Sequence, residues 1–344
     1  MHLHDTVLAG DRLALARLLT EIENDTPLGR STLNTLFKHT GAAHLVGVTG
    51  ATGTGKSSLV NQLALYYRQP PTGDPPRRVA IVAVDPSSPF TGGAVLGDRI
   101  RMRELSGDTG VFIRSMATRG SLGGLAAATA GLVQALDAAG FELIFIETVG
   151  AGQSEVEIAR LAHTTLVVEA PGLGDDVQAI KAGILEIADI LVLNKADRPG
   201  VEAAERALLG MLKLGHPTKR IAPHGLMHDV AAADAELAAS VDWIPPIRRT
   251  VATEGKGIPE LVAAIQGHRL HLDKTGIWQR RDRARLQNEL EGLLSSQLVA
   301  TWRGQVSDER YQATLDDLLE RKLSPRQAAD ALLNGRAPNG AGPA

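Results

Sequence analysis

The 344-residue chain contains no cysteine and no long apolar run. Without cysteine it can form no disulfide framework, thiol nucleophile or thiolate metal site, which excludes thiol redox chemistry and zinc fingers. No stretch approaches the roughly 20 apolar residues that cross a bilayer, and a net charge of -3 gives no basic footprint for nucleic acid. Charged residues such as Asp11 and Arg12 interrupt the N-terminal leucines, so no signal peptide is predicted. We expect a cytoplasmic enzyme without nucleic-acid or membrane partners.

A glycine-rich segment follows the apolar run at residues 45–48. It reads G-A-T-G-T-G-K-S-S and matches the phosphate-loop pattern G-x-x-x-x-G-K-[ST]. Glycines let successive backbone N–H groups turn around phosphates, and the helix expected to begin near Lys56 directs its positive dipole end at them. Lys56 is predicted to contact the β- and γ-phosphates and Ser57 to ligate Mg²⁺. An ordinary glycine-rich turn is the alternative, which the flanking strand and helix disfavour. The predicted nucleotide-binding residues are Gly50, Ala51, Thr52, Gly53, Thr54, Gly55, Lys56, Ser57 and Ser58.

A second motif, Asn194-Lys195-Ala196-Asp197, follows the apolar run at residues 190–193. A carboxylate such as Asp197 accepts two N–H bonds from guanine N1 and N2, whereas adenine has no donor at N1. Lys195 is predicted to lie along the base, and Asn194 to tie the nucleotide loops together. An N-K-x-D tetrad also fits a solvated helix cap, but its position at a strand's carboxyl end favours a guanine site.

Between residues 45 and 267, short β-branched runs alternate with turns and helical stretches. This repeat predicts an α/β fold with a doubly wound, mostly parallel sheet. The strands are apolar on both faces, as buried parallel strands are. Each motif follows one of them, at the edge where such sheets bind ligands. The predicted strands are 45–49, 78–84, 111–114, 142–147, 164–169, 190–194 and 247–252.

Carboxylates follow two other predicted strands. Asp85 opens a segment rich in Pro, Ser and Gly that leads to Asp98, and GTPases fasten such loops through Mg²⁺ and the γ-phosphate. For Asp98, a helix N-cap is the alternative role. Glu147 can hold a water of Mg²⁺, and the Gly150 N–H can reach the γ-phosphate. Gln153 is a candidate for positioning the attacking water. The predicted metal residues are therefore Ser57, Asp85, Asp98 and Glu147, and the predicted catalytic residues Lys56, Asp85, Asp98, Glu147 and Gln153.

These residues lie within longer stretches, among them Asp85-Pro86-Ser87-Ser88-Pro89, Leu96-Gly97-Asp98-Arg99, Glu147-Thr148-Val149-Gly150 and Gly174-Asp175-Asp176. Over most of its length the chain resembles the MeaB type of GTPase, the chaperones of adenosylcobalamin-dependent acyl-CoA mutases. The resemblance implies that Asp85 and Asp98 lie in a first switch and Glu147 in a second. It also implies a homodimer and a third switch, residues 171–181, that signals nucleotide state to the mutase. The coupling residues of that switch are Gly174, Asp175, Asp176, Gln178 and Lys181.

The chain departs from this family at two places. The loop that backs the guanine usually carries a Ser-Ala pair, whereas this chain has Thr250-Val251-Ala252-Thr253. The Ala252 N–H can still meet guanine O6, so Val251, Ala252 and Thr253 are predicted to bind the nucleotide. The third switch usually begins in a glycine-rich run, and here Pro171 stiffens its entry.

The two ends of the chain read as helical extensions. Residues 6–22 and 26–39 are predicted as amphipathic helices, followed late in the chain by helices over 278–302, 308–322 and 325–333. Leu286, Leu290, Leu293, Leu294 and Leu298 form an apolar stripe, for which we predict a dimer contact rather than packing on its own domain. The arginines at 280, 281, 283 and 285 read as a solvated face or, less well supported, a partner-binding face. The predicted divisions are an N-terminal extension (1–40), a GTPase domain (41–268), a dimerisation region (269–334) and a disordered tail (335–344).

The hypothesis is a Mg²⁺-dependent GTPase that gates cofactor loading and protection of an adenosylcobalamin-dependent acyl-CoA mutase. A kinase or transport ATPase is one alternative, and preference for ATP would favour it. A metal-insertion GTPase is another, for which the candidate ligands are His216, His224 and His228 in the segment 215–242. That segment is predicted to be a surface insertion.

Overall fold

The structure, a computed structural model, describes residues 2–71, 73–86, 103–105, 107–118, 122–148, 154–172, 186–214 and 243–334. The chain divides into two compact units, Met1–Arg285 and Leu286–Ala344. The predicted divisions at residues 40, 268 and 334 stay predictions.

Seven parallel strands form one sheet in the part of the chain that the structure describes. The order across the sheet is β3-β2-β4-β1-β5-β6-β7, so that β1 lies between β4 and β5. The predicted doubly wound α/β fold is confirmed. The strands are β1 (His44–Thr49), β2 (Val79–Pro86), β3 (Val111–Thr118), β4 (Leu143–Thr148), β5 (Thr164–Glu169), β6 (Ile190–Leu193) and β7 (Ile247–Arg249).

Helices cover both faces of the sheet. Successive strand residues alternate between two cores, so that Val46 packs with helices α4 (Lys56–Arg68) and α8 (Ile258–Lys274), whereas Leu45 packs with the N-terminal helices and α5 (Leu122–Ala138). The other described helices are α1 (Leu3–Leu8), α2 (Arg12–Glu23), α3 (Pro27–Leu36), α6 (Ser154–Leu161), α7 (Val201–Leu214), α9 (Ile277–Gln305), α10 (Asp308–Leu319) and α11 (Pro325–Asn334).

The N-terminal segment forms three helices where two were predicted. Gly10 has φ +84 and interrupts the first predicted helix, and Asp11 then caps α2 by accepting a bond from the Ala14 N–H at 2.8 Å. These helices belong to the core of their unit, because Leu15, Leu18 and Leu19 are buried with strand and α5 side chains. A Cβ on Gly131 of α5 would lie 2.8 Å from Ile22, so the helices approach closely there.

Two strand predictions, for β3 and β7, were wrong by more than two residues at their carboxyl ends. Strand β3 continues to Thr118 because it pairs residue by residue with β2 along its whole length. Strand β7 stops at Arg249, and Ala252–Glu254 form a 3-10 turn instead of a strand end. None of the described helices is long and apolar enough to cross a membrane.

Candidate nucleotide-binding site

The phosphate loop lies between β1 and α4, as predicted. A Cβ at Gly50, where φ is +134, would lie 2.1 Å from the carbonyl oxygen of Val168, so the loop can leave β1 this close to β5 only with glycine. Gly53 also has positive φ (+84), but no described atom lies within 4 Å of an added Cβ. The loop is thus fixed at its base and open at its tip, where a phosphate would bind.

Lys56 is the first residue of α4, and its side chain folds back over the loop. Its Nζ donates hydrogen bonds to the carbonyl oxygens of Gly50 at 2.8 Å and Ala51 at 3.0 Å, and the residue is 6% exposed. A buried ammonium group is costly unless it is hydrogen-bonded. The charge is therefore held beside the loop amides and the amino end of α4, where it favours an anion.

A serine–carboxylate pair lies beside the loop. Ser57 Oγ donates to Glu147 Oε1 at 2.6 Å, and Glu147 is 1% exposed. The sheet register explains the contact, because Glu147 on β4 pairs with Val48 of β1, just before the loop. A hydroxyl and a carboxylate are oxygen ligands of the kind that Mg²⁺ binds. The two predicted metal residues from distant parts of the sequence are thus adjacent.

Asn194 joins the phosphate loop to the loop after β7. Its Nδ2 donates to the Thr54 carbonyl at 2.8 Å, and its Oδ1 accepts from Thr250 Oγ1 at 3.0 Å and from the Ala252 N–H at 3.1 Å. The residue is 2% exposed, so these bonds lie in the protein interior. Asn194 thus bridges these two loops, and its role in binding a nucleotide stays a prediction.

The remaining base-site residues lie at the rim. Lys195 has φ +57, and its Nζ donates to the Gly53 carbonyl at 2.6 Å, which places its stem along the loop. Asp197 and Thr253 are exposed, whereas Val251 and Ala252 are buried. The Ala252 N–H, predicted to meet guanine O6, donates to Asn194 in this structure. Contact with the base therefore requires this N–H to share or exchange its acceptor, and the assignment of Ala252 stays a prediction.

Other predicted site residues lie outside the described part of the chain. Asp85 is the last residue but one of β2, where it pairs with Ala117 of β3, but its side chain is not among those described. Asp98, Gly150 and Gln153 lie wholly outside, as do Gly174, Asp175, Asp176, Gln178 and Lys181 of the third switch and the histidines at 216, 224 and 228. Sequence reasoning missed the role of the Thr250 side chain, although a hydroxyl at the end of β7 could have indicated a contact with Asn194.

The four arginines at 280, 281, 283 and 285 do not form one solvated face. Arg281 pairs with Asp189 at 2.8 and 2.9 Å and Arg285 pairs with Asp282 at 2.7 Å, so the prediction is wrong for these two residues. The Arg281 guanidinium reaches a carboxylate just before β6, whereas the Arg285 guanidinium pairs with a carboxylate of its own helix. Arg280 and Arg283 are exposed, as predicted.

Phosphate-binding and base-reading motifs meet at one edge of a parallel sheet, and a lysine, a serine and a glutamate converge on the loop. This combination is found in P-loop GTPases, and the chain is a GTP hydrolase of that class. A family model described as methylmalonyl Co-A mutase-associated GTPase MeaB matches residues 15–307. The chain therefore belongs to the MeaB family.

Relatives agree with this membership over nearly the whole chain. A Pyrococcus abyssi protein that carries the name of a GTPase is 42% identical over 94% of this chain and 93% of its own length. A Caenorhabditis elegans protein named methylmalonic aciduria type A homolog, mitochondrial, is 25% identical over 96% of this chain and 81% of its own length. The crystal structure of an LAO/AO transport system kinase is similar with a TM-score of 0.67 and 25% identity, over 97% of this chain and 96% of that one.

Proposed function

We propose that this GTPase hydrolyses GTP with Mg²⁺ and that its nucleotide state gates cofactor loading and protection of an adenosylcobalamin-dependent acyl-CoA mutase. The family match carries the proposal, because the family's description names association with methylmalonyl-CoA mutase. The name of the worm relative, which refers to methylmalonic aciduria, supports the same client class.

Each described residue of the nucleotide site has a role in the proposed hydrolysis. Lys56 and the loop amides would bind the β- and γ-phosphates and stabilise charge that develops on them. Ser57 and Glu147 fit Mg²⁺ because their oxygens lie 2.6 Å apart and Glu147 is a buried carboxylate beside the loop. The metal would supply charge neutralisation at the phosphates. Asp197, at the rim, would accept the guanine N–H groups, with Lys195 along the base.

Water is the proposed acceptor of the γ-phosphoryl group. We assign none of the described residues to orient that water, and Gln153 stays the candidate. We therefore expect slow intrinsic turnover and acceleration by a partner that orders the catalytic segments. The mutase would be that partner, and its effect on GTP turnover would measure a coupling free energy between nucleotide state and mutase binding.

A homodimer formed through α9 is also proposed. Five leucines of this helix have exposed fractions between 38% and 69%, although leucine is usually buried. They recur at helical spacing, so they form one apolar row that a second copy can cover. The row consists of Leu286, Leu290, Leu293, Leu294 and Leu298.

A kinase is the second candidate, because the similar crystal structure carries that name. In that case a protein or small molecule, not water, would accept the phosphoryl group. The nucleotide site would be the same, so the structure of the loop does not separate the two reactions. The fate of labelled γ-phosphate does, because hydrolysis releases it as free phosphate.

The deciding experiment is GTP turnover by the purified protein with Mg²⁺, alone and with a cobalamin-dependent acyl-CoA mutase from the same source. ATP serves as the parallel control. We expect slow, GTP-specific phosphate release that rises when the mutase is added. A GTP-specific rate that does not change when the mutase is added would overturn the chaperone role but not the GTPase activity. Preference for ATP, or transfer of the phosphoryl group to an acceptor other than water, would favour the kinase.

A further inference from the structure

A group of buried histidines lies at the amino-terminal edge of the sheet, away from the nucleotide site. His44 begins β1, His163 precedes β5 and His268 lies on α8. Their exposed fractions are 6%, 2% and 1%. Neutral imidazole is the form that such burial favours. We define the histidine cluster as these residues together with Thr164, Asp189, Trp278, Arg281 and Asp282.

The hydrogen bonds of His163 require one tautomer of the neutral ring. The Leu45 N–H donates to His163 Nδ1 at 3.1 Å, so this nitrogen carries no proton. The ring proton is then on Nε2, which donates to Asp282 Oδ1 at 2.9 Å. If Nδ1 were protonated, two N–H donors would face each other and the bond to β1 would be lost.

The other two histidines share a hydroxyl. Thr164 Oγ1 lies 2.7 Å from His44 Nε2 and 2.9 Å from His268 Nδ1. His268 Nε2 lies 3.4 Å from Asp189 Oδ1, which places the His268 proton on that side. Thr164 then donates to His268 and accepts from His44. These hydrogen bonds therefore also require neutral imidazole rings.

The cluster holds the first turns of α9 against three strands. Arg281 donates to both oxygens of Asp189, just before β6, and to the His163 carbonyl. Asp282 accepts from His163, and the Trp278 ring stacks on the His163 ring with centroids 3.7 Å apart. These contacts come from successive turns of one helix and converge on His163. At their carboxyl ends, β1 leads into the phosphate loop, β5 into the segment with the predicted third switch, and β6 into the N-K-x-D motif.

Charged groups of several elements face the imidazoles. From α8, Arg269 lies 3.4 Å from the Trp278 ring, and His271 lies beside His268. From α9, Arg285 pairs with Asp282. Arg77, which precedes β2, is near His44. Burial lowers the pKa of His163, and the Asp282 carboxylate opposes this without reversing it. Burial, the neighbouring histidines and the arginines hold the pKa of His44 well below its usual value.

We propose that the histidine cluster is a proton-sensitive clamp: neutral His163 fixes the first two turns of α9 to the sheet, and protonation of His163 releases them. Protonation would break the Leu45 bond and add a cation beside Arg281 and Arg285. The Asp282 carboxylate can still accept from the protonated ring. A cation buried beside these arginines is nevertheless unfavourable, and undocking of Trp278 with the first two turns of α9 exposes the ring to water. Nucleotide binding is not required for this device, which stands apart from the proposed function.

Hydrogen–deuterium exchange of the full chain tests the clamp. Protection of backbone amides in residues 277–285 is measured at about pH 7.5 and about pH 5, after correction for the pH dependence of intrinsic exchange. We expect a fall of about tenfold or more at the lower pH in these amides and in the Leu45 amide, which loses its acceptor, while amides of β4 keep their protection. In His163→Asn, whose Oδ1 can still accept from Leu45, the fall should be absent. The matched control is His39→Asn, which makes the same change at an exposed position and should behave as the wild type.

Two results would overturn the proposal. One is equal protection of 277–285 at both pH values in the wild type, and the other is an equal fall in His163→Asn. A simultaneous loss in β4 would also contradict it, because that result indicates global unfolding. Should His163→Asn not fold, NMR of wild-type histidine rings replaces it: the His163 titration midpoint must coincide with the loss of protection, and separate midpoints contradict the clamp.

Discussion

At the scale of single residues, Lys56 is a buried cation that lies against the phosphate loop. Lys56→Ala removes the ammonium that now bonds to the Gly50 and Ala51 carbonyls. Loss of one such group commonly lowers turnover by about 10²–10³-fold, and we expect at least that fall in single-turnover phosphate release. Lys38→Ala, at an exposed position, is the control and should leave turnover unchanged. Unaltered turnover in Lys56→Ala would remove this lysine from the site.

Asp197 is the residue on which base selectivity depends. Asp197→Asn replaces an acceptor by a carboxamide that can also donate, which suits the additional carbonyl of xanthine. Preference should therefore shift from GTP toward xanthosine triphosphate, measured as the ratio of kcat/KM values for the two nucleotides. Asp316→Asn makes the same chemical change at an exposed position of α10, so it is the matched control and should keep the wild-type ratio. An unchanged ratio in Asp197→Asn would exclude Asp197 from guanine recognition.

Sequence patterns predicted the residues whose spacing is local. Lys56 and Ser57 lie in one contiguous motif, and Asn194 lies in another, so each could be assigned before the fold was known. The contact between Ser57 and Glu147 needed the additional inference that both follow parallel strands. The histidine cluster had no such signal, because His44, His163 and His268 are far apart in sequence and only the strand order brings them together. The pairing of Arg281 with Asp189 could not be predicted for the same reason, since the two residues are far apart in sequence.

At the scale of elements, Thr250 connects β7 to the end of β6. Its hydroxyl donates to buried Asn194, so Thr250→Val leaves Asn194 Oδ1 with one fewer donor at nearly unchanged volume. A lost bond of this kind costs about 1 kcal/mol, and we expect that decrease in the free energy of unfolding together with weaker GDP binding. Thr250→Ser keeps the hydroxyl and is the control. Urea denaturation and GDP titration provide the two measurements, and wild-type values for Thr250→Val would contradict the connecting role.

Helix α9 has a row of exposed leucines that tests the dimer. Leu290→Glu with Leu294→Glu places two charges in the row, so burial against a second copy would become unfavourable. We expect a change from dimer to monomer in light scattering at micromolar concentration, with GTP turnover retained. Leu319→Glu changes a leucine that is 79% exposed on α10 and serves as the control. A double variant that remains dimeric, or a wild type that is monomeric, would refute this interface.

The ends of helices and strands show which boundaries the neighbouring residues in the sequence determine. Gly10 and Asp11 form a helix stop followed by a helix cap, and this signal was present in the sequence although the hydrophobic periodicity ran through it. Strand β3 is different, because its last four residues are strand only by pairing with β2. No pattern within residues 115–118 specifies that pairing. Local caps are thus readable in the sequence, whereas strand length depends on the neighbouring strand.

At the scale of the whole molecule, the buried histidines determine how stability depends on pH. Burial holds the pKa of His44 and of His163 below the ordinary value of 6.5. The unfolded chain therefore binds protons at these positions more readily than the folded chain. Stability is full above about pH 6.5 and falls as the pH decreases toward the folded pKa values. Carboxylates add a separate loss in stronger acid, because the hydrogen bond from Arg68 lowers the pKa of Asp108.

Urea denaturation at about pH 7.5, 6 and 5 measures this dependence, because imidazoles ordinarily titrate in that window and most carboxylates below it. The free energy of unfolding should fall progressively from the highest to the lowest pH. His163→Asn removes one of the titrating groups, so its stability should change less over the same interval, even where its absolute stability is lower. His39→Asn should reproduce the wild-type slope, because His39 lies at an exposed position outside the group of buried histidines. Equal stability at all three pH values would mean that the folded protein protonates these buried rings as readily as the unfolded chain does, which their hydrogen bonds to Leu45 and Thr164 oppose.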